Sequence, residues 1–324
     1  MIPFASGVLL RRTVILMLAA LLSVSAVAAR QTRGAASDEL TVTPVQGNVY
    51  MISGTGPNLT VQIGRYGPVL VDTPPPSLVP QVLAEIRKLS PLPIHLLTHT
   101  TASPDYVSGD AAVMANSKVR EALIHNNLYN RMLATTTGRL PLPESTITYS
   151  VPMIDNVNSE AIVLYQVNPA ITDSDAIVLF RRSDVISTGA IYTPGRYPII
   201  DIERGGTIEG LIDAVYKVLE LAVPDNLGDG GTLIVPGRGR LAEESDLGEY
   251  RNMLVIITDR IRELRSRGMT LEQIKTSRPS RDYDTEYHAM QADADRFVES
   301  IYRTLPPPAK PSGQGAPPAG RGRR

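Results

Sequence analysis

Residues 97–110 crowd hydroxyls, an imidazole, a phenol and two carboxylates onto one short stretch, reading Leu97, Thr98, His99, Thr100, Thr101, Ala102, Ser103, Pro104, Asp105, Tyr106, Val107, Ser108, Gly109, Asp110. Such groups suit two kinds of chemistry. Hydroxyls and a phenol can hydrogen-bond an anion or one another, and carboxylates can hold a hard cation. A Ser nucleophile needs a base to activate it, and the chain has few bases of that kind: four histidines and no cysteine, so no thiolate is available as nucleophile or metal ligand. His95 falls in the strand before the loop and is expected on a sheet face, whereas His125 and His288 fall in or beside polar turns and read as surface residues. Only His99 is close enough to the loop to take part. Asp110, Asp173 and Asp175 form a further candidate set for a hard cation, but Asp and Thr at turns ordinarily cap backbone N–H groups.

The elements that must position this loop follow from periodicity. Val49 to Ile52, Leu59 to Ile63 and Val69 to Asp72 are short β-rich runs, the last two joined by the turn Gly64 to Gly67. Ser77 is expected to cap a helix whose Leu78, Val79, Val82, Leu83, Ile86 and Leu89 share one face. Ile94 to Leu97 is the strand that delivers the loop. A second half is expected from near Ile147, with strands at Ile162 to Val167, Ile177 to Phe180 and Val185 to Ser187. A helix striped by Ile208, Leu211, Ile212, Val215, Val218 and Leu219 and a strand at Leu233 to Val235 follow. Three helices close the chain: Leu247 to Arg267 ended by Gly268, one opened by a Thr270/Gln273 capping box, and Ala292 to Leu305. Strand-strand-helix-strand in both halves predicts two sheets with helices outside each.

Composition narrows the functional classes. With 324 residues, 43% hydrophobic, the chain can bury a full core, and its net charge of -1 leaves no basic field for nucleic acid. Arg11 and Arg12, the apolar run Val14 to Val27 and the small-residue site Ala26, Val27, Ala28 read as an export signal cleaved after Ala28 or Ala29. The run is shorter than the ~20 residues of a spanning helix, so no stable membrane span is expected after cleavage. A disulfide-free exported protein fits a bacterial periplasm or the extracellular space. The expected organisation is a signal at 1–29, a linker at 30–40, a domain at 41–305 and a disordered Pro/Gly/Arg-rich tail at 306–324. The tail is expected to be solvated, with contact to an envelope partner as the alternative; oligomeric state is not legible here.

Five motifs, in order, make residues 42–305 resemble an exported bacterial metallo-β-lactamase-superfamily hydrolase. Val69, Leu70, Val71, Asp72 resembles the strand ending in an Asp behind the metal site. Thr101 to Gly109 is similar to H-x-H-x-D-H-x-x-G, with Thr101, Ser103, Asp105, Tyr106 and Gly109 at the marked positions. Pro169 to Asp173 resembles A-H-T-D with Ile171 at the His, Asp184 to Ala190 resembles a strand ending T-G-D with Ala190 at the Asp, and Val235 to Arg240 resembles P-G-H-G with Arg238 at the His. Tyr197 to Asp201 and Arg204 to Thr207 are similar to the segment that follows in one branch of the family.

The resemblance implies an α/β fold, the four-layer αββα metallo-β-lactamase sandwich, for which zinc is the norm. Of its seven ligand positions only Asp105 keeps a donor of the expected type. Shifting the loop by two residues would bring His99 to the first position, but only with a two-residue insertion before Pro104 and Asp105. The expectation is therefore no cofactor, a lost zinc site and lost hydrolysis, with a binding or accessory role; the alternative is an active hydrolase on a lactam, ester or thioester, using a noncanonical metal site or Ser103, Tyr106 and Arg238. The vestigial pocket would comprise Asp72, Thr101, Ser103, Asp105, Tyr106, Ile171, Ala190 and Arg238. Arg238 is expected to approach Asp105 in a partly buried cleft and to replace the metal's charge. The nearby hydroxyls would then satisfy one another or, with Arg238, hold a small anionic ligand.

Overall fold

The computed structural model describes residues 39–101, 103–109, 120–123, 147–148, 153–225 and 230–307, of which 120–123, 147–148 and 153–156 are described by their backbone. Residues 1–38 and 308–324, which hold the expected signal and most of the expected tail, and Asp110 and His125 lie outside the described residues.

Side-chain alternation along the strands dictates the layering. The first sheet contains β1 (Thr41–Pro44), β2 (Val49–Ser53), β3 (Leu59–Gln62), β4 (Val69–Val71), β5 (Leu96–Thr98), β6 (Arg120–Leu123) and β7 (Ile147–Thr148), in that spatial order. β1 to β4 pair antiparallel and β4 to β7 parallel. The second sheet has the order β12 (Leu233–Pro236), β11 (Val185–Gly189), β10 (Ala176–Phe180), β9 (Glu160–Gln166), β8 (Met153–Val157), antiparallel except for the β11–β12 pair.

Because neighbouring residues on a strand face opposite ways, each sheet serves two cores. Val69 and Val71 join Val49, Met51 and Leu96 against Val178, Phe180 and Val235 of the second sheet. Leu70, between them, joins Leu59, Val61 and Leu97 against helix α1 (Val79–Leu89), through Val79, Val82 and Ile86. In the same way Ile177 and Leu179 of β10 turn outward, where Leu211 and Val218 of α3 (Ile208–Leu221) meet Leu254 and Ile257 of α4 (Glu244–Ser266) and Phe297 and Ile301 of α6 (Gln291–Thr304). Helix, sheet, sheet, helix is the predicted four-layer α/β sandwich. The two sheets are also joined by a buried hydrogen bond from Thr60 Oγ1 to Ser187 Oγ, 3.0 Å.

Local signals set most helix ends. Thr270 and Gln273 form the expected reciprocal cap of α5 (Leu271–Ser277), with Thr270 N–H donating to Gln273 Oε1 at 2.9 Å. Gly268, at φ +82°, ends α4 as expected. Ser77 does not cap α1: it lies inside a 3-10 turn (Pro76–Leu78), and Leu78 occupies the cap position without a side-chain bond. The three prolines Pro74, Pro75 and Pro76 explain the shift, because they pre-set the entry turn and cannot donate N–H groups to a cap. Nor does the second half start at Ile147. β7 pairs with β6 in the first sheet, and the second sheet opens at Met153; a two-residue strand has too little pattern to reveal its sheet. No described helix is long and apolar enough to cross a membrane.

Candidate functional site

The loops after β4, β5, β11 and β12 converge, and their first shared object is Asp72. It sits just past β4 at φ +63°, buried, with Oδ1 accepting the Thr100 N–H at 2.8 Å and Oδ2 accepting the Thr100 hydroxyl at 2.7 Å. The carboxylate thereby ties the end of β4 to the loop after β5. His99 is fully buried behind it, with Nδ1 3.9 Å from Asp72 Oδ1. Close approach of the facing loop requires glycine twice. A Cβ on Gly189, at φ +50°, would lie 1.9 Å from Thr100 Oγ1, and one on Gly237 would lie 2.4 Å from Tyr106 Oη.

Below this contact lies a closed polar network. Asp175 Oδ2 accepts N–H groups of Ile171 at 2.6 Å and Thr172 at 2.8 Å, and Oδ1 accepts the Thr172 hydroxyl at 2.7 Å. Thr172 Oγ1 lies 3.1 Å from Ser174 Oγ and 3.3 Å from Thr101 Oγ1. Burial holds the Asp175 carboxyl above its ordinary pKa, and its hydrogen bonds from Thr172, Thr101 and Ile171 offset part of that rise. Thr101 is fully buried in this network. Ser103 precedes the short helix α2 (Pro104–Val107), its N–H donating to Thr101 Oγ1 at 3.3 Å and its carbonyl accepting the Tyr106 N–H at 2.9 Å. The buried Tyr106 phenol is pushed well above its usual pKa, first by burial and then by Asp72, so it stays protonated at neutral pH.

Above the network stands an ion pair. Arg238 Nη2 donates to Asp105 Oδ2 at 2.8 Å, across the opening between the two halves. The expected partners meet, but not in a partly buried cleft: the Asp105 side chain is 65% exposed and that of Arg238 36%. The reason is position, since Asp105 occupies the first turn of a helix on the rim while its neighbours Tyr106 and Val107 take the inward face. Asn58 positions the arginine. Its N–H donates to Gly237 O at 2.8 Å, and its amide nitrogen donates to Pro236 O at 3.0 Å and Gly239 O at 2.9 Å, clamping the turn that carries Arg238. A second brace comes from Gly237 N–H to Tyr192 O at 2.9 Å.

The donor set does not fit zinc. Ile171 is buried and without a donor, Ala190 is half-buried and likewise has none, Thr101 is spent in the hydroxyl network, and a guanidinium stands at the last position. Among the described residues no group of three or more His, Asp or Glu side chains is placed to hold a metal ion. Asp175 serves as a cap for Ile171 and Thr172, and Asp173 lies beside it on the same turn, its N–H donating to Arg204 O at 2.9 Å. Thus Asp72, Thr101, Ser103, Asp105, Tyr106 and Arg238 share one region joined by the contacts above, with Ile171 in the turn that Asp175 caps. Asn58, Thr100, Thr172 and Asp175 belong to it as well. Asn58 carried no signal, because nothing local links it to residues 236–239; Asp175, named with Asp173 as a candidate for a hard cation or a turn cap, takes the cap role, and Thr172 beside them had no role assigned.

The sequence matches no family model, and no curated protein matches it. Solved structures match strongly. A metallo-β-lactamase from Pontibacter korlensis superposes with a TM-score of 0.55 at 14% identity, covering 67% of this chain and 99% of its own. The inverting sec-alkylsulfatase Pisa1 from Pseudomonas sp. gives 0.63 at 15% identity, over 82% of this chain and 50% of the sulfatase. The DIM-1 metallo-β-lactamase gives 0.54 at 14%, over 67% and 97%. At such identity the likeness defines architecture alone. Sheet order, layering and these neighbours together make this a chain of the metallo-β-lactamase fold.

Proposed function

We propose that this protein is a non-hydrolytic bearer of the metallo-β-lactamase fold, exported to the periplasm or beyond, that binds a small anion at Arg238 in a binding or accessory role. The observation that carries the reading is the Arg238–Asp105 pair, formed by the two residues that the motif resemblance aligns with metal-ligand positions. A guanidinium supplies a fixed positive charge and planar N–H donors. A carboxylate-bearing ligand can therefore exchange with Asp105 on Arg238 without any metal. The small net charge argues against a nucleic-acid partner, and the reading includes no lasting membrane span once the signal is cleaved.

The test is metal content by elemental mass spectrometry on mature protein from zinc-supplemented cells, beside thermal melts with added zinc and manganese. The expected result is no stoichiometric metal and no shift of the midpoint. Retention of about one or two ions per chain through dialysis would overturn the reading. So would turnover of a chromogenic lactam, ester or thioester that Ser103→Ala or Arg238→Gln abolishes. N-terminal sequencing of the periplasmic fraction checks export, with a start at Ala29 or Arg30 expected.

A further inference from the structure

Two neighbouring cavities of about 340 and 470 Å³ open beside the segment after β11, the smaller reaching Tyr192 and Arg240 next to the Arg238 turn and the larger sharing no lining residue with that region. They share Arg196, Tyr287 and His288. The larger one is of the size of small-molecule clefts, about 300 to 1,000 Å³. Its floor is the stack of Tyr197 on Phe297, ring centroids 4.8 Å apart. Its rim holds Ile199 and Met290, which at 68% and 76% exposed are the two most exposed large hydrophobic side chains among the described residues. Two such side chains at one concave place offer apolar surface that a hydrocarbon tail can cover.

The charges on its lining select the partner. Asp293 accepts the Met290 N–H at 3.3 Å and lies 3.9 Å from Arg296, so one arginine is balanced within the cavity. Arg196, at the junction, makes no ion pair among the described residues, which leaves the larger cavity with one positive charge in excess. The smaller cavity has the opposite balance. There Arg240 is engaged by Asp246 at 2.5 Å, and Glu249 and Glu286 outnumber the shared Arg196. An anionic head is thus attracted to Arg196 and kept out of the smaller cavity.

We infer that the larger cavity binds a small amphipathic monoanion, its charged head on Arg196 and its apolar tail along Ile199 and Met290 over the Tyr197–Phe297 floor. This site is separate from the anion site proposed at Arg238. The ligand class is a single carboxylate, or a like anion, on an unbranched or lightly branched hydrocarbon chain. A carboxylate gains bidentate hydrogen bonds from the guanidinium, and the tail removes both exposed side chains from water.

The experiment is isothermal titration of the mature protein with decanoate below its micelle concentration, against decyl glucoside and decyltrimethylammonium as neutral and cationic controls. Saturable one-to-one binding of decanoate is expected, with the controls at least about tenfold weaker. Arg196→Gln and Met290→Glu should each weaken decanoate by about tenfold or more. Both positions are exposed, so unchanged urea midpoints would show that folding is intact. Arg238→Gln should still bind decanoate, which separates failure here from failure of the Arg238 site. Equal affinity for all three amphiphiles, insensitivity to both variants, or binding to anionic phospholipid vesicles without binding of free decanoate would overturn the inference.

Discussion

The Arg238–Asp105 pair gives the sharpest quantitative test, because its burial decides its worth. Had the pair been buried, loss of one partner would cost about 3 to 5 kcal/mol through the stranded charge. The structure instead shows one contact of 2.8 Å between side chains that are 36% and 65% exposed. Unit charges about 4 Å apart attract by about 1 kcal/mol in water, and ordering two long side chains consumes part of that, so exposed pairs measure about 0.2 to 1 kcal/mol. The perturbation is a double-mutant cycle of Arg238→Gln, Asp105→Asn and the double variant. Urea unfolding should return a coupling near 0.5 kcal/mol at low salt. In about 1 M salt, where the screening length is near 3 Å, the coupling should nearly vanish. The matching change in melting midpoint is of the order of 1 °C for a domain of this size. A coupling above about 2 kcal/mol that survives high salt is the contrary outcome. It would mean that the pair is desolvated in solution and holds the two halves together.

Other predictions concern the layers beneath. Gly189→Ala places a Cβ 1.9 Å from Thr100 Oγ1 at φ +50°, so it should lower stability by about 2 kcal/mol or more in urea unfolding. Thr172→Val removes a donor to the buried Asp175 and should cost about 1 to 3 kcal/mol by the same assay. Burial holds the Asp175 carboxyl above its unfolded value, so the folded state binds the proton more tightly. Its contribution is therefore greatest below the unfolded pKa and is lost as pH rises through the folded pKa. Wild-type stability relative to Asp175→Asn should accordingly fall from about pH 4 upward; a difference that is flat or rises with pH would contradict the assignment. Phe297→Ala, which empties the centre of the outer helical core, should cost about 3 to 5 kcal/mol, read as a lowered urea midpoint.

Local physics in the sequence by itself determined the elements and their layering. Unbroken apolar runs such as Val69, Leu70 and Val71 and residues 176–180 announce strands buried on both faces, and helical stripes such as Ile208, Leu211, Val215 and Val218 announce the outer layers. The capping box at Thr270 and the stop at Gly268 are equally local. Which loops meet, and that Arg238 would face Asp105, was not written in local physics; it followed only from the resemblance to the metallo-β-lactamase superfamily. What the tertiary structure alone decided is how wet that meeting place is. Exposure of Asp105 depends on which face of a four-residue helix points inward, and no pattern that short carries a period. The entry to α1 and the sheet membership of β7 were undecidable for a similar reason, since three prolines and a two-residue strand each leave the outcome to their surroundings. Asn58 reaches across to a turn near residue 238, and Arg196 lines one cavity with residues near 290. A contact between residues so far apart in the chain has no local energy to leave a mark on, because it exists only after the layers have packed.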